Sequence, residues 1–213
     1  MLLTERQKDA LTEFINMAFS RCAVSLSELT GDGVRLELSA ISVHSLSGLP
    51  AVLSSVEEGE VATVSQIFKG SMSGNALLLL NYESAAMLMN LLAQKQNLET
   101  PFLNISAYEM LTEVGNILLN ACLTMLGNLL DTQVVFSVPL LNLQKLNVLV
   151  HSLVAGKSEL RYALLVRTSL HLHENWVSGY VVVVLGVPSL HCLIKAIETW
   201  ANIAKPARIA IGY

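Results

Sequence analysis

Apolar residues recur at helical spacing along two long stretches of the chain. Leu11, Ile15, Ala18, Cys22, Leu26 and Leu29 form one stripe, and Leu111, Val114, Leu118, Cys122, Met125 and Leu129 form another. Each stripe predicts an amphipathic helix that buries it. Segments with partial alternation or rich in strand formers follow each helix and predict strands: 34–43, 59–68 and 75–81 after the first, 132–138, 161–172 and the Val-rich 177–185 after the second. Helical patterns over 83–94 and 188–201 then close the two halves, with Pro188 where a first helical turn tolerates it. Residues 140–154 read as a further helix or a strand–helix connection, and residues 45–56 as loop or ragged helix.

The two halves are copies of one pattern. Residues 9–22 align without gaps on residues 109–122, sharing Leu11/Leu111, Thr12/Thr112, Glu13/Glu113, Asn16/Asn116 and Cys22/Cys122, with Leu26/Leu126 and Leu29/Leu129 beyond. So many gapless matches argue for a duplicated unit of helix, strand, connection, hairpin and helix, spanning about 5–97 and 104–204. The expected fold class is α+β: one domain over 1–213, with a pseudo-two-fold pair of units sharing an antiparallel-rich sheet and the long helices packed on it.

Composition narrows the classes. Of 213 residues, 53% are apolar and only 14% charged, with net charge −4. This excludes a disordered chain and a polyanion binder that works by bulk charge. The apolar runs fall short of the roughly 18 residues of a spanning helix, and Glu113, Asn116, Asn120 and Asn128 interrupt the longest. No secretion-signal pattern opens the chain, and Cys22, Cys122 and Cys192 have no metal-ligand spacing, so a reducing, cytoplasmic setting is expected.

What each long helix leaves to solvent is a polar row. Asp9, Glu13, Asn16 and Ser20 share one face, and Glu109, Glu113, Asn116 and Asn120 make its twin. One such row is an ordinary wetted face. Two at equivalent places, kept while Phe14/Val114 and Ile15/Gly115 beside them differ, point to a site.

The pattern acid-x-x-x-Glu-x-x-Asn resembles the CheC/CheX/FliY family of chemotaxis phosphatases, as does a proline twenty-three residues after the Asn, at Pro139. The resemblance covers nearly the whole chain, and two motif copies match the CheC arrangement better than the one-site CheX arrangement. The chain departs from the family at Ser39, where the first copy lacks the proline, at Glu109, where Asp or Ser is usual, and at Ala18 and Ser20, where the first copy lacks glycines.

The resemblance implies hydrolysis of the aspartyl phosphate of a CheY-like response regulator. Asn16 and Asn116 would orient the attacking water, and Glu13 and Glu113 would dock the partner's lysine. Mg²⁺ would belong to the response regulator, with no cofactor or metal of the chain's own. The kept Pro139 spacing favours the second copy as the working one. Two alternatives stand beside this reading. The chain is a non-catalytic module that docks a response regulator or a CheD-like deamidase, or it is an inert domain whose paired Asn residues are buried or share no surface. A homodimer is compatible with the sparse charge.

Other features carry less. His171 and His173 lie on one face of a strand without a third ligand and are expected to face solvent. Cys22 and Cys122 are expected to be small core residues, and Trp176 and Trp200 to pack in or at the edge of the core. Lys205 to Arg208 is too small a basic cluster for a nucleic-acid footprint, and the tail 209–213 is expected to add an edge strand or meet a partner.

Overall fold

A computed structural model describes residues 3–53, 59–94, 105–155 and 160–209. The ends of the expected segments 45–56 and 5–97, the start of 104–204, and the tail beyond 209 lie outside the described residues.

Thr4 opens the first helix, α1 (Glu5–Thr30). Its hydroxyl accepts from the Gln7 N–H at 3.2 Å, and the Gln7 side chain accepts from the Thr4 N–H at 2.8 Å. This reciprocal pair satisfies amide donors that a helix start leaves open. Gly31, at φ 64°, ends the helix in the left-handed region. Then come β1 (Val34–Ser45), a 3-10 turn (Leu46–Gly48) and α2 (Leu49–Leu53). The hairpin β2 (Glu60–Gly70) and β3 (Gly74–Asn81) leads into α3 (Tyr82–Gln94). The second half repeats the order: α4 (Ile105–Leu129), a strand in two pieces, β4 (Val134–Phe136) and β5 (Leu140–Lys145), then α5 (Leu146–Ala155), the hairpin β6 (Leu160–Leu172) and β7 (Asn175–Gly186), and α6 (Val187–Ile209). The segment 140–154 is thus the strand–helix connection, and the expected strand at 132–138 is shorter than its pattern suggested.

The strands form one antiparallel sheet in the order β1-β6-β7-β3-β2-β4, with β5 also paired to β2. The two hairpins meet at β3 and β7, and the first strand of each half crosses to the other half's hairpin: β1 to β6, and β4 and β5 to β2. Neither half completes its own sheet.

Alternate residues of the central strands feed two cores, as the pleat requires. Ala62, Val64, Phe68, Leu78, Val166, Val181 and Val183 face the long helices, while Val61, Leu77, Leu79, Leu165, Val182 and Val184 face a smaller layer that includes α2 and α5. With both faces covered, β3 and β7 read as unbroken apolar runs rather than alternating ones. The helix stripes are buried as expected up to Leu26 and Met125, and Cys22 and Cys122 with them, while Leu129 at the end of α4 is half-buried. Leu29 is the correction: it stands exposed at the end of α1, and Phe14 and Phe19 widen the buried face instead. Trp200 is half-buried, edge-on to Phe14 with centroids 4.5 Å apart. Trp176, expected in or beside the core, is exposed and packs on the His171 ring, with centroids 4.5 Å apart.

Among the described residues, residues 107–129 of α4 form a helix long and apolar enough to cross a membrane, and 56% of its most apolar window is buried inside the protein.

Each helix is followed by a strand that breaks step at the same place. In β1 the register on β6 shifts between Leu38, opposite Thr168, and Ala40, opposite Arg167, leaving Ser39 as an inserted residue. In the second half Phe136 pairs Phe68 and Leu140 pairs Ser65, so Ser137, Val138 and Pro139 oppose Ile67 and Gln66. Ser39 and Pro139 thus occupy one bulge. A proline suits it because no ladder N–H is required there, and serine at the first copy keeps the irregularity without the ring.

Candidate functional site

Both polar rows lie where the helical spacing places them, but the two amides are not presented alike. On α1, Asp9, Asn16 and Ser20 are exposed and Glu13 is half-buried. Ser20 Oγ donates to the Asn16 backbone carbonyl at 2.9 Å, and the Asn16 side-chain amide makes no hydrogen bond to any described residue.

On α4, Glu109 and Glu113 are exposed, whereas Asn116 and Asn120 are half-buried and engaged. Asn116 Oδ1 accepts from Gln66 Nε2 at 3.0 Å and from Asn120 Nδ2 at 2.9 Å, and Asn116 Nδ2 donates to Glu113 Oε2 at 3.2 Å. Gln66 Nε2 also donates to the Ser137 carbonyl at 3.2 Å. The expectation that both amides stand free in solvent therefore needs correction at Asn116.

Gln66 was not among the residues the sequence singled out. It occupies the core-facing row Ala62, Val64, Gln66, Phe68 of β2 and is 3% exposed, so its amide requires partners to offset the cost of burial. The signal was present as a lone polar residue at an apolar beat of a strand. The corresponding row of β6 is Val166, Thr168, Leu170, and Thr168 Oγ1 donates to the Glu37 carbonyl at 3.1 Å. Glu37 and Ser137 each lie two residues before the bulged position. Each half thus spends one buried polar side chain on the carbonyl beside its bulge, and Gln66, being longer, also reaches the helix above.

A glycine sets that reach. A Cβ added at Gly115 would stand 2.5 Å from Val64 Cβ, so α4 approaches β2 more closely than any side chain there allows. The equivalent residue of α1 is Ile15, buried to 2% exposure, a branched side chain where α4 has none.

Around the second row, Val135, Val138 and Leu140 stand exposed along the sheet edge. Of the two histidines expected on one solvent-facing strand face, His171 lies on β6 half-buried, whereas His173 is exposed but lies past the strand in the hairpin turn, at φ 54°. His171 meets Arg35 Nη2 at 3.3 Å and the Trp176 ring, and His173 Nε2 lies 3.4 Å from Asp32 Oδ2. Cys22 and Cys122 lie close enough in the α1–α4 interface for the charge of one to act on the other. Burial pushes Cys22 up to about 12, and burial followed by the Cys22 charge pushes Cys122 higher still.

This α+β fold, one sheet built from two interlocked repeats with the long helices packed on it, is shared with solved structures of FliY and FliM. The crystal structure of Thermotoga maritima FliY superposes with a TM-score of 0.73 at 18% identity, over 93% of this chain and 99% of that one. The chain matched in the FliM–SpeE complex from H. pylori gives 0.63 at 13% identity, over 92% and 97%. The FliM middle domain from H. pylori gives 0.59 at 10% identity, over 91% and 99%. No protein-family model and no curated protein matches the sequence.

Proposed function

We propose that this chain hydrolyses the aspartyl phosphate of a CheY-like response regulator. The observation that carries the reading is the duplicated row: Glu13 and Asn16 recur as Glu113 and Asn116 on equivalent helices of a FliY-type fold.

The chemistry fits so small a set of groups. An acyl phosphate is already activated, so what remains is to place a water in line with phosphorus. A side-chain amide both accepts a hydrogen bond from that water and donates one, whereas a carboxylate would repel the phosphoryl oxygens. The water oxygen bonds to phosphorus and the bond from phosphorus to the aspartyl oxygen breaks, its electron pair staying on the carboxylate. Inorganic phosphate leaves, and the water protons pass to phosphate and solvent. The exposed Glu113 and its twin Glu13 lie one turn before their amides, placed to meet the partner's lysine by a charge-assisted bond. The Mg²⁺ belongs to the response regulator.

A second reading has its own support. FliM structures share the fold over nearly their whole length, and the apolar edge Val135, Val138 and Leu140 offers a docking surface beside the second row. On this reading the chain binds a response regulator or a CheD-like protein without hydrolysing anything. The decay of a phosphorylated CheY-like regulator with Mg²⁺, followed with and without the chain, separates the two. Faster decay supports the phosphatase, and binding without faster decay supports the module.

A further inference from the structure

We infer that Gln66 is a positioning residue that latches the Asn116 amide, so that Asn16 is the amide the chain presents to a partner while Asn116 is held within. The latch rests on geometry alone; what the presented amide does rests on the phosphatase reading.

An amide oxygen has two lone pairs. At Asn116 both are taken, by Gln66 at 3.0 Å and Asn120 at 2.9 Å. To accept a hydrogen bond from an attacking water, Asn116 must first give one of them up. Gln66 is itself fixed, because its Nε2 serves both Asn116 Oδ1 and the Ser137 carbonyl from a site that is 3% exposed. Its Oε1 and the Asn120 Oδ1 are buried without a partner among the described residues. A network that leaves acceptors unpaired in order to hold one amide calls for an explanation beyond stability.

The first half lacks each part of this device. Thr168 stands in place of Gln66 and has one proton, spent on the Glu37 carbonyl. Ser20 stands in place of Asn120 and turns its hydroxyl to a backbone carbonyl. Ile15 stands in place of Gly115, the glycine that lets α4 descend onto Val64. Three independent positions therefore differ in one direction, opening the first amide and closing the second. This reverses the preference that the Pro139 spacing gave, since the bulge is present in both halves whether proline or serine fills it.

The test is to give the second half the first half's residues, Gln66→Thr with Asn120→Ser. Three-bond NMR couplings about the Cα–Cβ bonds of Asn16 and Asn116 report the latch without any assay of activity. In the unmodified chain Asn116 is expected in a single rotamer and Asn16 averaged; in the double variant Asn116 averages too. An averaged Asn116 in the unmodified chain, or a fixed one in the double variant, overturns the latch. Amide spectral dispersion reports that the variant is folded, and in Asn120→Ser alone, at a half-buried position, Asn116 is expected to stay fixed by Gln66; an averaged Asn116 there overturns Gln66 as the latch.

The second arm adds Asn16→Ala and follows the decay of a phosphorylated CheY-like regulator. Asn16→Ala alone is expected to lose the acceleration, and adding Gln66→Thr and Asn120→Ser to raise the rate about fivefold or more, the factor set by one lost neutral hydrogen bond. Retained acceleration in Asn16→Ala overturns the assignment of Asn16 as the presented amide, and freed couplings without recovery overturn the latch as what keeps Asn116 from acting. An unmodified chain without effect on decay overturns the phosphatase reading, and the couplings still decide the latch.

Discussion

Gly115→Ala tests the contact that brings α4 down onto the sheet. On a helix surface this change stabilises by about 1 kcal/mol, because alanine loses less backbone entropy. Here the added carbon would lie 2.5 Å from Val64 Cβ, 2.6 Å from Cγ1 and 2.7 Å from Cγ2. Carbon pairs attract best at about 3.5–4.0 Å, so each contact is roughly 1 Å too short. Val64 is 2% exposed on a strand paired on both sides, which leaves it little room to yield. Overpacking of this kind costs about 1–3 kcal/mol, and three short contacts with a stiff β-branched side chain place it near the upper end. The net expectation is a loss of about 2 kcal/mol, or about 1 M in urea midpoint at a slope of about 2 kcal/mol/M. Urea unfolding followed by circular dichroism measures it. A midpoint unchanged or raised would refute the close approach of α4, and with it the reason that Asn116 and Gln66 meet.

The other expectations concern the amides and the thiols. Asn116→Ala removes the acceptor shared by Gln66 and Asn120 and is expected to cost about 1–3 kcal/mol in urea unfolding. Asn16→Ala, at an exposed position, is expected to change stability by no more than about 0.5 kcal/mol. In the folded chain at pH 8, Cys192 is expected to react with a thiol reagent, while Cys22 and Cys122, buried and with raised pKa values, react only after unfolding. Because the fold keeps those two thiols protonated above the ordinary value of 9.0, the unfolded chain releases their protons first. Stability is therefore unaffected below about pH 9 and falls as pH rises towards 12, which denaturation across that range measures.

The repeat and both helix faces were legible because they rest on local spacing. Leu11, Cys22 and Leu26 recur as Leu111, Cys122 and Leu126, and all six are buried. The exchange of first strands between halves was not legible, since antiparallel partners are chosen by packing across the sheet and not by any pattern within a strand. For the same reason Gln66 was read only as part of a strand. Its meaning depends on its sharing a face with Val64 beneath α4, which register decides. Trp176 is exposed because the strand pleat gives the core-facing position to its neighbour Val177, which is 2% exposed, and turns the ring to the other face, where it packs on His171. The acid–amide rows were found from spacing, but their inequality depends on Gly115 against Ile15, a difference whose effect appears only once α4 meets Val64.

The most direct measurement of the central claim is the decay rate of a phosphorylated CheY-like regulator in the presence of the Asn16→Asp, Asn116→Asp variant. The substitution keeps the shape of both side chains and removes the amide's ability to donate to a phosphoryl oxygen while accepting from water. The account predicts that the acceleration given by the unmodified chain is lost while the far-ultraviolet spectrum is retained. Undiminished acceleration by the folded double variant would contradict it.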